Sequence, residues 1–248
     1  MPSKDYIIAD LIKKNKELEL KLLSASEWMS KNIAEKKDVI DGNIEEINVN
    51  DIKKSIKNFL WDYPLGPDES NIIDDLFSSE LLFVHGERDN SIDGTAIIIG
   101  YNKVLDFTIE KYITSPFRKF AHARCKNILI SSSHIEANLH STIHKGFMMS
   151  IGRLFEILEN IKYHYKKEFY LTLFEDFLQE HTDISDAILS DNFFLPLKTL
   201  VDKEIFGSKR HSGSVSFADA QEARKIIMGD YKDANCLCIK LLKLGQTF

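Results

Sequence analysis

Glu136, His140 and His144 in HIEANLHSTIHK stand at i, i+4 and i+8. On one helix their side chains rise along a single flank, where two imidazoles one turn apart could share a divalent metal ion and the glutamate could act as third ligand or base. The pattern departs from His-Glu-x-x-His and the sequence assigns no fourth ligand. The plainer reading, solvated polar residues bordering an apolar stripe with no metal or other cofactor, is the one expected. A second group is Arg118, Lys119, His122, Arg124 and Lys126, the most basic helix of the chain. Guanidinium and ammonium groups hold phosphates, so this face could meet RNA or another phosphate. A charged face paired with acidic neighbours is the competing expectation and the favoured one. The third group lies in FGSKRHSGSVSFADAQEARKIIMGDY, residues 206–231, where a basic cluster and His211 precede a sharply started helix.

Composition narrows the remaining chemistry. The sequence holds no Gly-x-x-x-x-Gly-Lys-Ser/Thr loop, no Gly-x-Ser-x-Gly elbow and no Gly-x-Gly-x-x-Gly fingerprint, so ATPase, serine-hydrolase and dinucleotide readings lack their local signals. Cys125, Cys236 and Cys238 match neither a disulfide framework nor a zinc spacing, and buried reduced thiols are expected. A net charge of −6 argues against a surface dedicated to nucleic-acid phosphates, which makes RNA the lesser expectation. The first residues mix charge into every turn and no apolar run approaches membrane-spanning length, so a cytoplasmic protein away from membranes is expected. With 248 residues, 44% of them hydrophobic, a core of real size is available, and only 11 Gly and 5 Pro favour helices over many short strands.

The elements that would position these groups follow from apolar spacing. Apolar spacing leads us to expect an amphipathic helix over residues 5–34 with Leu11, Leu18, Leu22 and Trp28 on its stripe, and the acidic, amide-rich passage 35–51 follows. We therefore expect an N-terminal helical arm over 1–45 and a helical body over 46–248. Asp51 is expected to cap a helix to about Trp61 that Pro64–Pro67 ends, and DESNIIDDLFSSELLFVHG supplies one or two helical pieces facing inward through Ile72, Ile73, Leu76, Leu81 and Leu82. The β-branched cluster within 92–113 permits a strand, yet Leu105, Ile109 and Ile113 continue it at helical spacing, and a buried helix is expected.

Ser115-Pro116 reads as a fresh helix start running to about Ile130. Ser133 and Glu136 form a candidate capping box. The helix they open carries Ile135, Leu139, Ile143, Phe147, Ile151, Leu154, Leu158 and Ile161 on one face, with room for a break between Gly146 and Ser150. Residues 164–180 continue helically, Ser185-Asp186 starts a helix toward Leu200 with an irregularity at Pro196, Ser216 with Asp219 caps the next, Gly229 closes it, and 231–244 supply the last.

The segment containing Lys209, Arg210, His211, Ser212, Gly213, Ser216, Asp219, Ala223 and Arg224 resembles the C-terminal part of HEPN-like helical domains of bacterial defence and toxin-associated proteins. GYNKVLDFTIEKYITSPF (100–117) and MSIGRLFEIL (149–158) are similar to two further helices of such domains, so the resemblance spans roughly 90–248. It implies an all-α, HEPN-like multi-helix body. Catalytic members cleave RNA without metal through an Arg-x4–6-His motif, in which arginine positions the phosphate and histidine transfers the proton. None of the six arginines here, at 88, 118, 124, 153, 210 and 224, has a histidine at that distance. Upstream of His211 the corresponding positions are Glu204, Ile205 and Phe206. The expectation is a noncatalytic interaction or regulatory subunit of an anti-phage defence or toxin-type system, meeting a defence-system ATPase or nuclease, or a second copy of itself, through Leu11, Leu18, Leu22 and Trp28. The competing expectations are a divergent ribonuclease using Arg118, His122 and His211, and a metal-dependent enzyme at Glu136, His140 and His144.

Overall fold

The computed structural model describes residues 48–63, 65, 70–88, 92–125, 133–163, 168–207, 209, 215–229 and 236–245. The chain divides into two compact units, Met1–Ile47 and Asn48–Phe248. The expected arm stripe Leu11, Leu18, Leu22 and Trp28, together with Lys126, Arg210, His211, Ser212 and Gly213, falls outside the described residues. In chain order the second unit forms α1 (Val49–Phe59), α2 (Ser70–Arg88), α3 (Gly94–Ile109), a π-helical turn (Glu110–Thr114), α4 (Ser115–Arg124), α5 (His134–Lys145), α6 (Ile151–Tyr163), α7 (Phe169–Glu180), α8 (Thr182–Leu189), α9 (Asp191–Asp202), α10 (Phe217–Met228) and α11 (Leu237–Leu244). Every regular element among the described residues is helical, so the fold is all-α. None of these helices is long and apolar enough to cross a membrane.

The apolar stretch 92–113 is the axis of this bundle. Asp93 caps α3 by accepting the Thr95 N–H at 2.9 Å. Around α3, Ile97, Ile98, Tyr101, Val104, Leu105 and Ile109 are at most 1% exposed, because α2, α6, α10 and α11 pack against it. A helix meets its own backbone hydrogen bonds while side chains cover it on all sides, and this lets a β-branched run lie helical at the centre of a bundle. Gly100 permits the close approach of α2, since a Cβ there would stand 2.1 Å from Ser79 Oγ and 2.8 Å from the Asp75 carbonyl.

The fresh start expected at Ser115-Pro116 is absent. Helix continues from α3 through the π turn into α4, and the Ser115 N–H reaches back to the Glu110 carbonyl. Proline within a helix lacks a donor and crowds the carbonyl four residues earlier, and the widened π turn immediately before Pro116 absorbs both defects. The basic residues of α4 are thereby held in line with the buried axis.

Other starts differ from expectation in similarly physical ways. Asn48, not Asp51, caps α1, accepting the N–H groups of Asn50 at 3.1 Å and Asp51 at 3.4 Å. Helix α2 is one piece, with Ile72, Leu76 and Phe83 buried and Leu81 and Leu82 only half-buried. At Gly146 (φ 70°) α5 ends in a left-handed cap, and Phe147, expected on the apolar stripe, is instead 52% exposed while Met149 is buried. Residues 182–202 form two helices that meet at Ser190, and Pro196 lies inside α9. The carbonyl that Pro196 leaves without a helical donor, that of Asn192, accepts from Lys240 Nζ of α11. Ser216 and Asp219 form the full reciprocal capping box of α10, which Gly229 closes.

Candidate functional site

Two groups that look separate in the sequence share one corner of the fold. Helix α4 packs against both α5 and α7, which sets His122 of α4 beside His144 of α5, ring centroids 6.1 Å apart. His140 stands one turn before His144 at 4.8 Å. Tyr170 at the start of α7 faces both, at 5.7 Å from His140 and 6.0 Å from His144, and its hydroxyl lies 3.3 Å from His144 Nε2. His122 is exposed, His140 and His144 are half-buried, and Tyr170 is fully buried. Burial, with the imidazoles of His140 and His122 beside it, holds His144 below the usual histidine range. His140 Nε2 is buried without a hydrogen-bond partner.

Glu136 does not join this cluster. Its carboxylate, 1% exposed, accepts the backbone N–H groups of Tyr170 at 3.0 Å and Leu171 at 2.8 Å. Both donors lie in the first turn of α7, where N–H groups have no helical acceptor, so Glu136 caps the neighbouring helix instead of completing its own box. The other half of that box is present, with Ser133 Oγ accepting the Glu136 N–H at 3.2 Å, and the Ser133 hydroxyl donates to Glu168. Burial pushes the Glu136 carboxyl up against the lowering effect of its two N–H donors, and Glu168 adds a further upward push.

Arg118 is spent on the scaffold. Its Nε donates to the Thr142 carbonyl at 3.0 Å, one terminal nitrogen to Glu110 Oε1 at 3.0 Å, and the other to the Phe147 carbonyl at 3.3 Å and Glu110 Oε2 at 3.5 Å. One guanidinium thus holds the π turn and the carbonyl end of α5 together, a use of the planar fork that lysine cannot reproduce. Arg124 meets Glu180 at 2.7 Å and lies 3.7 Å over the Phe120 ring. Both arginines of the basic helix therefore pair with acids.

In the C-terminal stretch, Lys209 lies 3.6 Å from Asp219. Ile205 and Phe206, at the spacing from His211 where the ribonuclease motif places arginine, are 0% and 7% exposed core residues, and Glu204 beside them adopts φ 55°. Arg224 points the other way, into the bundle, giving N–H bonds of 3.0, 3.1 and 2.9 Å to Glu80 of α2, which is 1% exposed. The buried Tyr101 hydroxyl donates to the same carboxylate, and the guanidinium lies 4.5 Å over Phe83. This Glu80–Arg224–Tyr101 cluster ties α2, α3 and α10 together. The only sequence signal for Glu80 is a charge among the apolar positions of α2; its partner lies far along the chain. The three cysteines are buried and none is joined in a disulfide, and burial, with Cys236 beside it, pushes the Cys238 thiol up.

Among the described residues, the His122, His140, His144 and Tyr170 corner is thus the one place where imidazoles from two helices gather, with one ring in solvent and one whose pKa burial lowers. Such a group can exchange protons or donate lone pairs. Among the described residues no three His, Cys, Asp or Glu side chains converge to hold a metal ion as they stand. Scans against models of known protein families, curated proteins and solved structures each find no match.

Proposed function

We infer that the chain is a noncatalytic, HEPN-like helical protein that acts as an interaction or regulatory subunit in a bacterial anti-phage defence or toxin-type system. The observation that carries the noncatalytic part is Arg118. A catalytic arginine must present its fork to a phosphate, and this one is occupied by Glu110, Thr142 and Phe147. The buried Ile205 and Phe206, standing where the ribonuclease motif needs arginine, point the same way. The family and the system rest on the resemblance at Lys209–Arg224, 100–117 and 149–158, an argument by analogy. The partner is a protein, either a defence-system ATPase or nuclease or a second copy of the chain, met through the apolar stripe of Leu11, Leu18, Leu22 and Trp28.

One observation favours a second reading. His122, in solvent, stands beside His144, whose pKa burial lowers, and two adjacent imidazoles are a pairing that a metal-independent ribonuclease could use. Labelled RNA incubated with purified protein in chelator separates the two readings. The subunit reading predicts no protein-dependent cleavage, whereas cleavage that disappears in His122→Ala or His211→Ala establishes the enzyme.

A further inference from the structure

We propose that His140 and His144 of α5, closed by His122 of α4, form a binding site for a borderline divalent transition-metal ion of the zinc and nickel class. Two histidines at i and i+4 on one helical face are a chelating pair by geometry, as in the zinc-binding helices of metalloproteases. Two imidazoles sharing one ion at metal–nitrogen distances of about 2.0–2.1 Å place their ring centres roughly 5 Å apart. The His140–His144 separation of 4.8 Å meets that requirement.

The donor set suits such an ion in three further respects. His140 Nε2 is buried with no hydrogen-bond partner, a position that is costly unless something occupies it, and in the tautomer with its proton on Nδ1 it offers an open lone pair. The Tyr170 hydroxyl takes His144 Nε2 at 3.3 Å. When that nitrogen donates its proton to the tyrosine oxygen, Nδ1 carries the open lone pair and the ring is held in orientation, the arrangement of an outer-shell partner to a metal ligand. His122 completes the set: its ring centre lies 6.1 Å from that of His144, somewhat long for a shared ion, and because its side chain is exposed, binding would draw it inward toward the pair. Because this third donor must turn inward, the three do not converge before the ion arrives. The glutamate that sequence spacing offers as third ligand is excluded, since Glu136 gives both oxygens to Tyr170 and Leu171. Water fills the remaining coordination positions, and the bound ion clamps α4 to α5.

The test uses the full chain carrying no polyhistidine tag, freed of metal with chelator, and titrated with zinc by calorimetry and with cobalt by visible absorption. The expected result is one ion per chain. His140→Gln and His144→Gln should each weaken binding by about 10–100-fold or more, the range already seen for outer-shell partners. His122→Gln should weaken it and change the cobalt spectrum, while His85→Ala, an exposed histidine on α2, should leave binding as it was. Thermal unfolding of each metal-free variant shows whether it is folded, and zinc should raise the midpoint of the wild type and not of His144→Gln. Absence of stoichiometric binding to the wild-type chain overturns the proposal. Binding that survives in the His140→Gln/His144→Gln double variant also overturns it, because the chain then holds an adventitious ion only. Binding lost with His144 but indifferent to His122 refutes the closure from α4.

Discussion

Replacing Arg224 with methionine keeps an unbranched stem over the Phe83 ring and removes the charge that answers Glu80. In the folded chain that carboxylate is 1% exposed and takes three N–H bonds of 2.9–3.1 Å from the guanidinium, so the substitution strips most of its stabilisation without opening it to water. Breaking a buried pair by deleting one partner costs about 3–5 kcal/mol. The Arg224 side chain is 17% exposed, which moderates screening only slightly and places the expected loss toward the lower end of that range. Urea unfolding followed by far-UV circular dichroism measures it. The Glu80→Met/Arg224→Met double variant supplies the control, since replacing a buried pair with apolar groups of similar volume is commonly neutral or stabilising. The double variant should therefore be more stable than Arg224→Met alone. A single-variant loss below about 1 kcal/mol, the scale of an exposed ion pair, would refute the reasoning. So would a double variant that loses the sum of the two singles.

Glu136→Gln should cost about 1–3 kcal/mol, because one of the two N–H donors opening α7 then faces an amide NH2 and stays buried without an acceptor; thermal unfolding reads the loss. His144 has a folded pKa below its unfolded value, so the unfolded chain binds more protons in acid. Its contribution is constant above the unfolded value of about 6.5 and is lost as pH falls below it toward the folded pKa. The stability–pH curve should fall less steeply there in His144→Gln than in the wild type. Leu18→Asp with Leu22→Asp should abolish self-association or partner binding in sedimentation while the body over 46–248 keeps its cooperative melt; loss of that melt would assign the stripe to the core instead.

Local signals in the sequence reached the helices and some of their ends. The spacing of Leu105, Ile109 and Ile113 anticipates the buried axis, and Ser216 with Asp219 anticipates the start of α10, because a cap is decided within four residues. Pro116 misleads, since the same proline that starts a helix is also tolerated after a π turn, and only the fit of 94–124 to its neighbours selects the second. Glu136 misleads for a related reason. Its spacing from Ser133 satisfies the capping box, but the uncapped first turn of α7 competes for the carboxylate and is more deeply buried. The site itself was half legible: the two histidine groups stand out by spacing, yet that they share one corner depends on α4 packing against α5 and α7, which no local pattern encodes. Glu80 with Arg224 could not be paired from the sequence, because a charge on an apolar face shows that it needs a partner and not which one.

Arg118→Lys tests the central claim most directly, by measuring unfolding free energy and metal-independent RNA cleavage on the same preparations of wild type and variant. Lysine keeps the charge and loses the planar fork that joins Glu110, Thr142 and Phe147. A scaffold arginine predicts a loss of about 1–3 kcal/mol, from the carbonyls left without donors, and no RNA cleavage by either protein. Cleavage by the wild type that the substitution removes, with unfolding free energy unchanged, would contradict the account and make Arg118 a catalytic residue.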